Sequence, residues 1–390
     1  MKQLAQGKRA RSLFSFCAFH FLDDGFADSV YLLLPFIAVE LQLSFSQVGL
    51  LKGAFSASMS LFQFPLSLLG ERVGELTVIA GGTLGLAGGF LLLSISYTFL
   101  TTLFSLIFAK GTAGGQHGLA SSVLSRVFEV SGRRAAMGTY NFSGDLGKVC
   151  LPFLVALLIN LWSWRQAIFI LSLGGSTAGI VLWVLARQND GHPPPSPPVE
   201  KVAVKISGWG IRNRKSFFAL LGIGVIDLAA RTALLTFLPF LFLQKGIPST
   251  QVGFAITLLF AGGAMGKFAC GVLAEWFGII PMVVGTEILT TVGILSLHWS
   301  STSVIWFILP FVGVVLNGTS SVLYATVAEI ISPTGRSRGY GLYYAITLGC
   351  GAVSPMIYGL VTDSMGLPFT IMSTALMVLI TIPLSRYLSQ

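Results

Sequence analysis

Residues 35–49 read PFIAVELQLSFSQVG, and residues 239–253 read PFLFLQKGIPSTQVG. The two stretches begin with the same Pro-Phe pair and end with the same Gln-Val-Gly, at an offset of 204 residues. Each lies between two long apolar segments and contains the polar break of a short loop. Chance agreement is common among apolar residues, but shared polar residues and prolines at one offset are not. The chain is therefore predicted to contain two copies of one unit.

The match extends along the chain on both sides of these stretches. At the same offset, Asp23 aligns with Asp227. The further matches at offsets of 204 and then 203 residues are Glu71 with Glu275, Gly74 with Gly278, Gly132 with Gly335, Gly138 with Gly341, Tyr140 with Tyr343 and Pro152 with Pro355. The repeat therefore covers most of both halves.

The composition places this repeat in a membrane. Of the 390 residues, 54% are hydrophobic and 10% are charged, whereas soluble domains carry roughly 25% charged residues. The apolar runs reach the length of about 20 residues that a membrane-spanning helix needs. Lipid offers the backbone no hydrogen-bond partners, so these runs must be helical, and the short alternating segments of a β-barrel do not occur.

We predict an all-α membrane protein of about twelve transmembrane helices in two six-helix pseudo-repeats. The predicted halves are residues 1–187 and 216–390, joined by a cytoplasmic Pro-rich linker at 188–215. The predicted spans are 13–40, 47–69, 76–96, 99–125, 134–161, 164–186, 216–243, 250–273, 280–298, 303–330, 338–362 and 367–387.

Basic residues indicate the orientation. They crowd the loops on the side of both termini, whereas the opposite loops carry only Arg165 and Lys245. By the positive-inside rule, both termini are expected in the cytoplasm, and the chain is expected to be multi-pass in the inner (cytoplasmic) membrane.

Two halves related by an axis along the membrane normal are the organisation of major facilitator transporters, whose substrate site lies near the midplane at the repeat interface. The loop after the second span resembles the acidic-basic loop of that family. Glu71, Arg72 and Gly74, with Glu275 as the repeat counterpart, are therefore predicted to latch one conformation by binding the end of a neighbouring helix. The alternative is ordinary loop charge.

Ionisable groups inside spans are costly and usually line a cavity or pair with one another. The first span carries His20, Asp23, Asp24 and Asp28, and the fourth carries His117. Three aspartates so close together cannot all be neutralised by their own helix. These five residues are predicted candidates for proton coupling, with Asp24 or Asp28 as the carrier; the histidines are proton relays or structural residues.

A second set of polar residues is selected on two grounds. Some lie in the other spans that are expected to line the cavity, and some are oppositely charged residues close together within one span. Asp145 and Lys148 are three residues apart, and Asp227 and Arg231 are four apart, so each pair can form on one helix face or serve only structure. The predicted substrate-binding residues are Tyr31, Asp145, Lys148, Asp227, Arg231, Asn317 and Tyr324. Lys52, Lys110, Lys267 and Glu287 are expected to snorkel or to pack at the span rims, with no chemistry assigned.

The first span reads His20-Phe21-Leu22-Asp23-Asp24, followed by Leu-Leu-Pro at 33–35, and the fourth reads His-Gly-Leu-Ala-Ser at 117–121. These segments, with Gly144, Gly147 and Pro152, resemble the fosmidomycin-resistance type of facilitator. Gly118 departs from that family's pattern, as do Asp145 and Lys148. The resemblance implies efflux of a small compound.

We expect a secondary transporter that exports a small polar or anionic compound, driven by protons. One alternative is a divalent metal or metal-chelate exporter with His20, Asp24, Asp28 and His117 as ligands, although a basic cavity would oppose a cation. A further alternative is a non-transporting membrane sensor. The sequence contains neither GxxxxGK[ST] nor His-Glu-x-x-His, so no enzyme is predicted. No cofactor, resident metal or nucleic acid is expected; the expected partners are the substrate, protons and lipid, and the chain is expected to be a monomer.

Overall fold

A computed structural model describes residues 2–128, 132–189, 211–332 and 336–388. Its helices occupy all twelve predicted spans. In the first half they are α1 (Lys2–Leu41), α2 (Phe45–Val73), α3 (Glu75–Ser94), α4 (Phe99–Thr112), α5 (Gln116–Val127), α6 (Arg133–Leu161) and α7 (Trp164–Asn189). The later helices are α8 (Arg214–Gln244), α9 (Ser249–Phe277), α10 (Ile279–Trp299), α11 (Thr302–Ile330), α12 (Arg336–Met365), α13 (Leu367–Val378) and α14 (Thr381–Ser385), followed by a 3₁₀ turn at Arg386–Leu388.

Nine helical segments within the described ranges are long and apolar enough to cross a membrane by length and composition. The first, second and fourth predicted spans are not among them. The first carries three aspartates, and the fourth is broken into two helices. Large apolar side chains such as Phe307 (85% exposed) and Phe268 (78% exposed) point outward, as suits a surface that faces lipid.

Two predicted spans differ from the structure because each is broken. The fourth is divided at residues 113–115, where a Cβ on Gly114 would lie 2.8 Å from the backbone oxygen of Met59. The twelfth is divided at residues 379–380, because Pro383 has no N–H to bond four residues back and its ring crowds that carbonyl.

The chain divides into two compact units. The N-terminal unit consists of Met1–Leu33 and Ala54–Val202, and its core includes Phe19, Leu124 and Tyr140. The C-terminal unit consists of Leu34–Gly53 and Ala203–Gln390. The predicted halves, and their linker at 188–215, stay a prediction, and residues 190–210 lie outside the described residues.

Residues 34–53 belong to the C-terminal unit because they pack closely on α8 and α12. The ring of Phe45 lies 5.3 Å from that of Phe240, and Asp363 accepts the backbone N–H groups of Phe45 and Ser46, both at 2.8 Å. Asp363 thus supplies from another helix the negative charge that the start of α2 lacks in its own first turn. A Cβ on Gly49 would collide with the backbone oxygen of Pro355, so only glycine permits this approach.

Candidate functional site

The candidate site of the N-terminal unit is built around the carboxylate of Asp24 on α1. This carboxylate contacts three basic side chains from three helices. Its Oδ2 lies 3.2 Å from His20 Nε2 and 3.0 Å from Lys148 Nζ on α6, and its Oδ1 lies 3.6 Å from His117 Nε2 on α5. Asp24 is 8% exposed. In such a buried setting, a charge left without a partner is costly.

Asp23, the neighbouring residue, points to a different partner. Both of its carboxylate oxygens accept hydrogen bonds from Lys110 Nζ on α4, at 3.1 and 3.0 Å, and His117 Nε2 lies 3.5 Å away. Asp23 is fully buried and Lys110 is 4% exposed. The prediction that Lys110 reaches a span rim is therefore wrong, because the Asp23 carboxylate holds its ammonium inside the unit.

The break before α5 explains how His117 reaches both aspartates. Residues 113–115 interrupt the fourth span, and α5 then starts at Gln116, so His117 lies in the first helical turn after the break. Gln116 is buried, and neither polar atom of its amide has a hydrogen-bond partner among the described residues. A buried, unsatisfied amide beside this cluster is a polar group that a ligand or water can satisfy.

The ring of His20 is fixed by two contacts. It stacks on Tyr140 with ring centroids 4.1 Å apart, and its Nδ1 lies 2.7 Å from the backbone oxygen of Tyr140. A carbonyl oxygen only accepts, so Nδ1 carries a hydrogen. Nε2 of His20 then faces Asp24 Oδ2 at 3.2 Å, a distance at which the two atoms can share a hydrogen.

A glycine on α6 makes room for this pair. A Cβ on Gly144 would lie 2.5 Å from His20 Cε1 and 2.7 Å from Asp24 Oδ2. One turn further, a Cβ on Gly147 would collide with the backbone oxygen of Phe21. The glycines that carried part of the family resemblance thus let α6 lie against α1 at the site.

The other acidic candidates of this unit lie around Lys148. Its Nζ is 3.5 Å from Asp145 Oδ1, and both Asp145 and Asp28 belong to its electrostatic surroundings. Tyr31, on the same helix as Asp28, is 6% exposed. We name the residues His20, Asp23, Asp24, Lys110, His117, Asp145 and Lys148 the N-terminal ionic cluster. Its three carboxylates exceed its two ammonium groups, so the expectation of a basic cavity does not apply here.

Asp227 and Arg231 lie together in the C-terminal unit, on α8. Arg231 Nη2 is 3.4 Å from Asp227 Oδ2, and Nη1 donates to Asn317 Oδ1 at 3.2 Å and to Ser320 Oγ at 3.5 Å on α11. Sequence reasoning missed Ser320, which lies three residues after Asn317 on one helix face. A planar guanidinium among neutral acceptors and one carboxylate can exchange a partner for an anionic ligand.

Tyr324 belongs to a group of aromatic rings rather than standing alone. Its ring lies 6.1 Å from that of Tyr343 and 5.1 Å from that of Tyr344, and its backbone oxygen accepts from the hydroxyl of Tyr340. The tyrosines of α12 were not predicted, although three of them occur within residues 340–344.

The predicted latch residues are solvent-facing. Glu71, Arg72 and Glu275 are exposed, and Gly74 has φ +97°, which favours glycine at the start of α3. The ion pair observed at this loop joins Glu75 to Arg126 at the end of α5. The latch role of Glu71, Arg72, Gly74 and Glu275 stays a prediction.

Glu287 and Lys52 were expected to snorkel or to pack at rims, and burial excludes snorkelling for both. They are 1% and 5% exposed. A charge buried this far inside lipid-embedded helices needs a partner or a proton.

Among the described residues, the group of side chains spaced for a metal ion is His20, Asp24 and His117, whose ligand atoms lie within 4.8 Å of one another. Asp28 is not part of it. With Nδ1 of His20 bonded to a carbonyl, Nε2 has the orientation typical of a metal-ligating histidine.

These buried charges, carried on two repeated helical units, define a polytopic membrane transporter. The family model of the Major Facilitator Superfamily matches residues 14–229 and 220–389, and the chain belongs to this family, whose members are transporters and not enzymes. It is 24% identical over 380 residues to the fosmidomycin resistance protein of Escherichia coli, covering 88% of this chain and 84% of that protein. It is 23% identical over 333 residues to an uncharacterized transporter of the same type from Methanocaldococcus jannaschii, covering 82% and 83%.

Solved structures agree on the fold. A bacterial homolog of the human lysosomal transporter Spinster, inward-facing and unoccupied, superposes with a TM-score of 0.80 at 15% identity, covering 97% of each chain. A POT family transporter in complex with 5-aminolevulinic acid gives 0.78 at 13% identity, covering 97% and 96%. At these identities the likeness concerns the fold alone.

Proposed function

We propose that this chain is a proton-coupled antiporter of the cytoplasmic membrane, which exports a small polar or anionic compound by alternating access. The observation that carries the proposal is that one carboxylate oxygen of Asp24 lies 3.2 Å from His20 Nε2 and 3.0 Å from Lys148 Nζ, so that His20 and Asp24 can share a proton. When the proton leaves, His20 and Asp24 repel each other through facing lone pairs, and Lys148 becomes the stronger partner of Asp24. The carboxylate therefore has two alternative partners, and the proton decides between them.

The charge balance of the N-terminal ionic cluster supports a proton carrier. With neutral histidines, its three carboxylates face two ammonium groups. One proton on the cluster balances this excess, and a balanced cluster is less costly to enclose in a membrane protein. Asp28, near Lys148, adds to the negative charge and remains the second candidate carrier.

Arg231 supports an anionic substrate. Its guanidinium faces Asp227, Asn317 and Ser320, and its repeat counterpart at an offset of 204 is Ala27, so the common fold does not require it. An arginine fork suits a phosphonate or carboxylate. Similarity to the fosmidomycin resistance protein supports export, and the basic loops support cytoplasmic termini. The partners of this proposal are substrate, protons and lipid, with a monomer as the working unit.

The test uses purified protein in liposomes with fosmidomycin as the phosphonate probe. Asp24→Asn should abolish uptake driven by an imposed pH gradient but retain exchange of labelled against unlabelled probe, since exchange needs no net proton movement. Exchange is thus an internal control for folding and binding. Parental pH-driven uptake by Asp24→Asn, Asp28→Asn and the double variant would remove these residues from the mechanism.

The second candidate is export of a divalent metal ion, favoured by the close ligand atoms of His20, Asp24 and His117. Two imidazoles and a carboxylate are suitable ligands for zinc or a similar ion. Under this alternative, His20→Ala and His117→Ala should each sensitise cells to zinc while phosphonate resistance stays unchanged. The opposite pattern, with zinc tolerance unchanged and resistance lost, excludes metal export.

A further inference from the structure

Glu287, in the middle of α10, is a buried carboxylate that the proposed transport cycle does not yet use. It is 1% exposed, and its Oε1 has no hydrogen-bond partner among the described residues. Thr290 lies three residues further on the same helix face, is 2% exposed and also has an unpartnered hydroxyl oxygen. The two oxygens are not hydrogen-bonded to each other, and a buried carboxylate oxygen without a donor is costly unless the carboxyl group is protonated.

The surroundings of Glu287 contain one positive charge that is already engaged. Its electrostatic neighbours are Asp227 and Arg231 of α8. The guanidinium of Arg231 is bonded to Asp227, Asn317 and Ser320. Next to Ser320 on α11, Thr319 bonds to Thr286 of α10 at 2.8 Å, which brings the turn of Glu287 against the Arg231 site.

Within the described part of the chain, Asp227 and Arg231 are the charged groups that act on Glu287. The elements packed against α10 are α9, α11, α13, α14 and the final 3₁₀ turn. Neither α13 nor α14 carries a titratable side chain. The titratable residues of the other three are Lys267, Cys270 and Glu275 on α9, Tyr324 and Glu329 on α11, and Arg386 and Tyr387 in the turn; none of them is among the electrostatic neighbours of Glu287. Two carboxylates thus share one guanidinium.

We infer that Glu287, with the hydroxyl of Thr290, forms a second proton-binding site, located in the C-terminal unit and coupled to the Asp227–Arg231 pair. A proton removes the uncompensated charge and gives Glu287 an O–H, which can donate to Thr290 after a rotation of the side chains. At an offset of 204 the repeat counterpart of Glu287 is Thr83, so the shared fold does not demand an acid here.

This inference extends the proposed function, on which its transport role rests. An anion that binds Arg231 competes with Asp227, and a displaced Asp227 carboxylate adds negative charge beside Glu287. Glu287 therefore binds its proton more tightly when the anion is bound, and by reciprocity a protonated Glu287 favours the anion. This proton would therefore cross the membrane together with the anion and offset its charge, and it is distinct from the proton that the proposed antiport exchanges at Asp24.

The test is infrared spectroscopy of the purified protein at neutral pH, before and after exchange into D₂O. A protonated buried carboxyl gives a carbonyl band distinct from that of carboxylates. We expect this band in the parent and its loss in Glu287→Gln. Glu40→Gln, the same change at an exposed glutamate, is the matched control and should leave the band intact. A band fully retained in Glu287→Gln overturns the inference.

Two further variants keep the test decisive if Glu287→Gln folds poorly. Thr290→Val should shift the band, because the acceptor of the acid hydrogen is lost. Asp227→Asn leaves one carboxylate for one guanidinium, so Glu287 should ionise and the band should vanish although the glutamate is present. If the band is unchanged in both variants, the proposed site is contradicted.

The coupling has a separate readout. At a pH where the Glu287 band has half of its maximal intensity, adding fosmidomycin should increase that intensity. If fosmidomycin binds and the intensity stays the same, the coupling is contradicted. The first three measurements need neither substrate nor gradient. If Asp24→Asn does not alter pH-driven uptake, the proposed function is refuted and the Glu287 site is unaffected. If the infrared band does not depend on Glu287, the Glu287 site is refuted and the proposed function is unaffected.

Discussion

At the scale of residues, the buried charges form separate groups with different partners. Asp23 is neutralised by Lys110, whereas Asp24 shares its carboxylate among His20, His117 and Lys148. Adjacent aspartates with such different surroundings can serve different purposes. The bidentate contact to Lys110 stabilises the fold, and the shared contact of Asp24 can change with protonation.

Lys110→Ala should strongly destabilise the protein. It leaves the fully buried Asp23 carboxylate without its main partner, and breaking one side of a buried pair costs about 3–5 kcal/mol. The measurement is thermal unfolding in detergent. Lys110→Met combined with Asp23→Asn removes both charges and should recover most of the loss. If the double variant were no more stable than Lys110→Ala, the ion pair would not be the cause.

Arg231→Lys should weaken anion binding about tenfold, since a point charge replaces a fork and one charge-assisted hydrogen bond contributes about 1.5 kcal/mol. Arg231→Ala should nearly abolish transport. The measurement is fosmidomycin binding and uptake in liposomes. Because Arg231→Ala leaves Asp227 unpaired, the control is Asp227→Asn with Arg231→Ala. Parental transport by that folded double variant would make Arg231 a purely structural partner.

At the scale of elements, helix breaks and glycines position the site. The interruption at residues 113–115 places His117 at the start of α5, and Gly144 lets α6 approach α1 closely enough for Lys148 to reach Asp24. The loop between α2 and α3 is held by Glu75 and Arg126, one residue pair within the N-terminal unit.

Gly144→Ala should impair transport while the protein still folds. The added Cβ would lie within 2.7 Å of His20 and Asp24, so the pair must shift; overpacking of this kind costs about 1–3 kcal/mol. Gly138→Ala is the matched control, because it makes the same change on the same helix with nothing within 4 Å. Uptake assays and unfolding curves compare the two. Equal activity of both variants would show that the packing at Gly144 does not serve the site.

At the scale of the whole molecule, the chain is a multi-pass member of the Major Facilitator Superfamily whose two repeated units differ in their charges. The shared Asp23 and Asp227 have unlike partners, Lys110 from another helix and Arg231 from the same helix. Packing requirements are common to both repeats, so these differences are the features expected to serve substrate and proton.

A reporter fused after Gly191 tests the orientation. This residue lies outside the described part of the chain, within the predicted linker. Because basic residues crowd the loops on this side, a reporter that works only in the cytoplasm should be active there and an alkaline phosphatase fusion silent. Phosphatase activity at this position would reverse the proposed topology.

The sequence by itself determined the helices, the repeat and the family, because long apolar runs in lipid can only be helical and a duplication persists as a fixed offset. It also marked His20, Asp24, Asp28, His117 and Arg231 as costly residues in apolar surroundings. Spacing along one helix sufficed for the pairs Asp145–Lys148 and Asp227–Arg231.

Only the tertiary structure decided which charges meet across helices. Lys110 and Asp23 are 87 residues apart, and nothing in their local sequence sets the rotation of α4 against α1. Packing of small residues between helices sets that rotation, and so Lys110 and Glu287 turned inward although both were expected at rims. Periodicity fixes which residues share a face of one helix, but the partner of that face depends on how all the helices fit together.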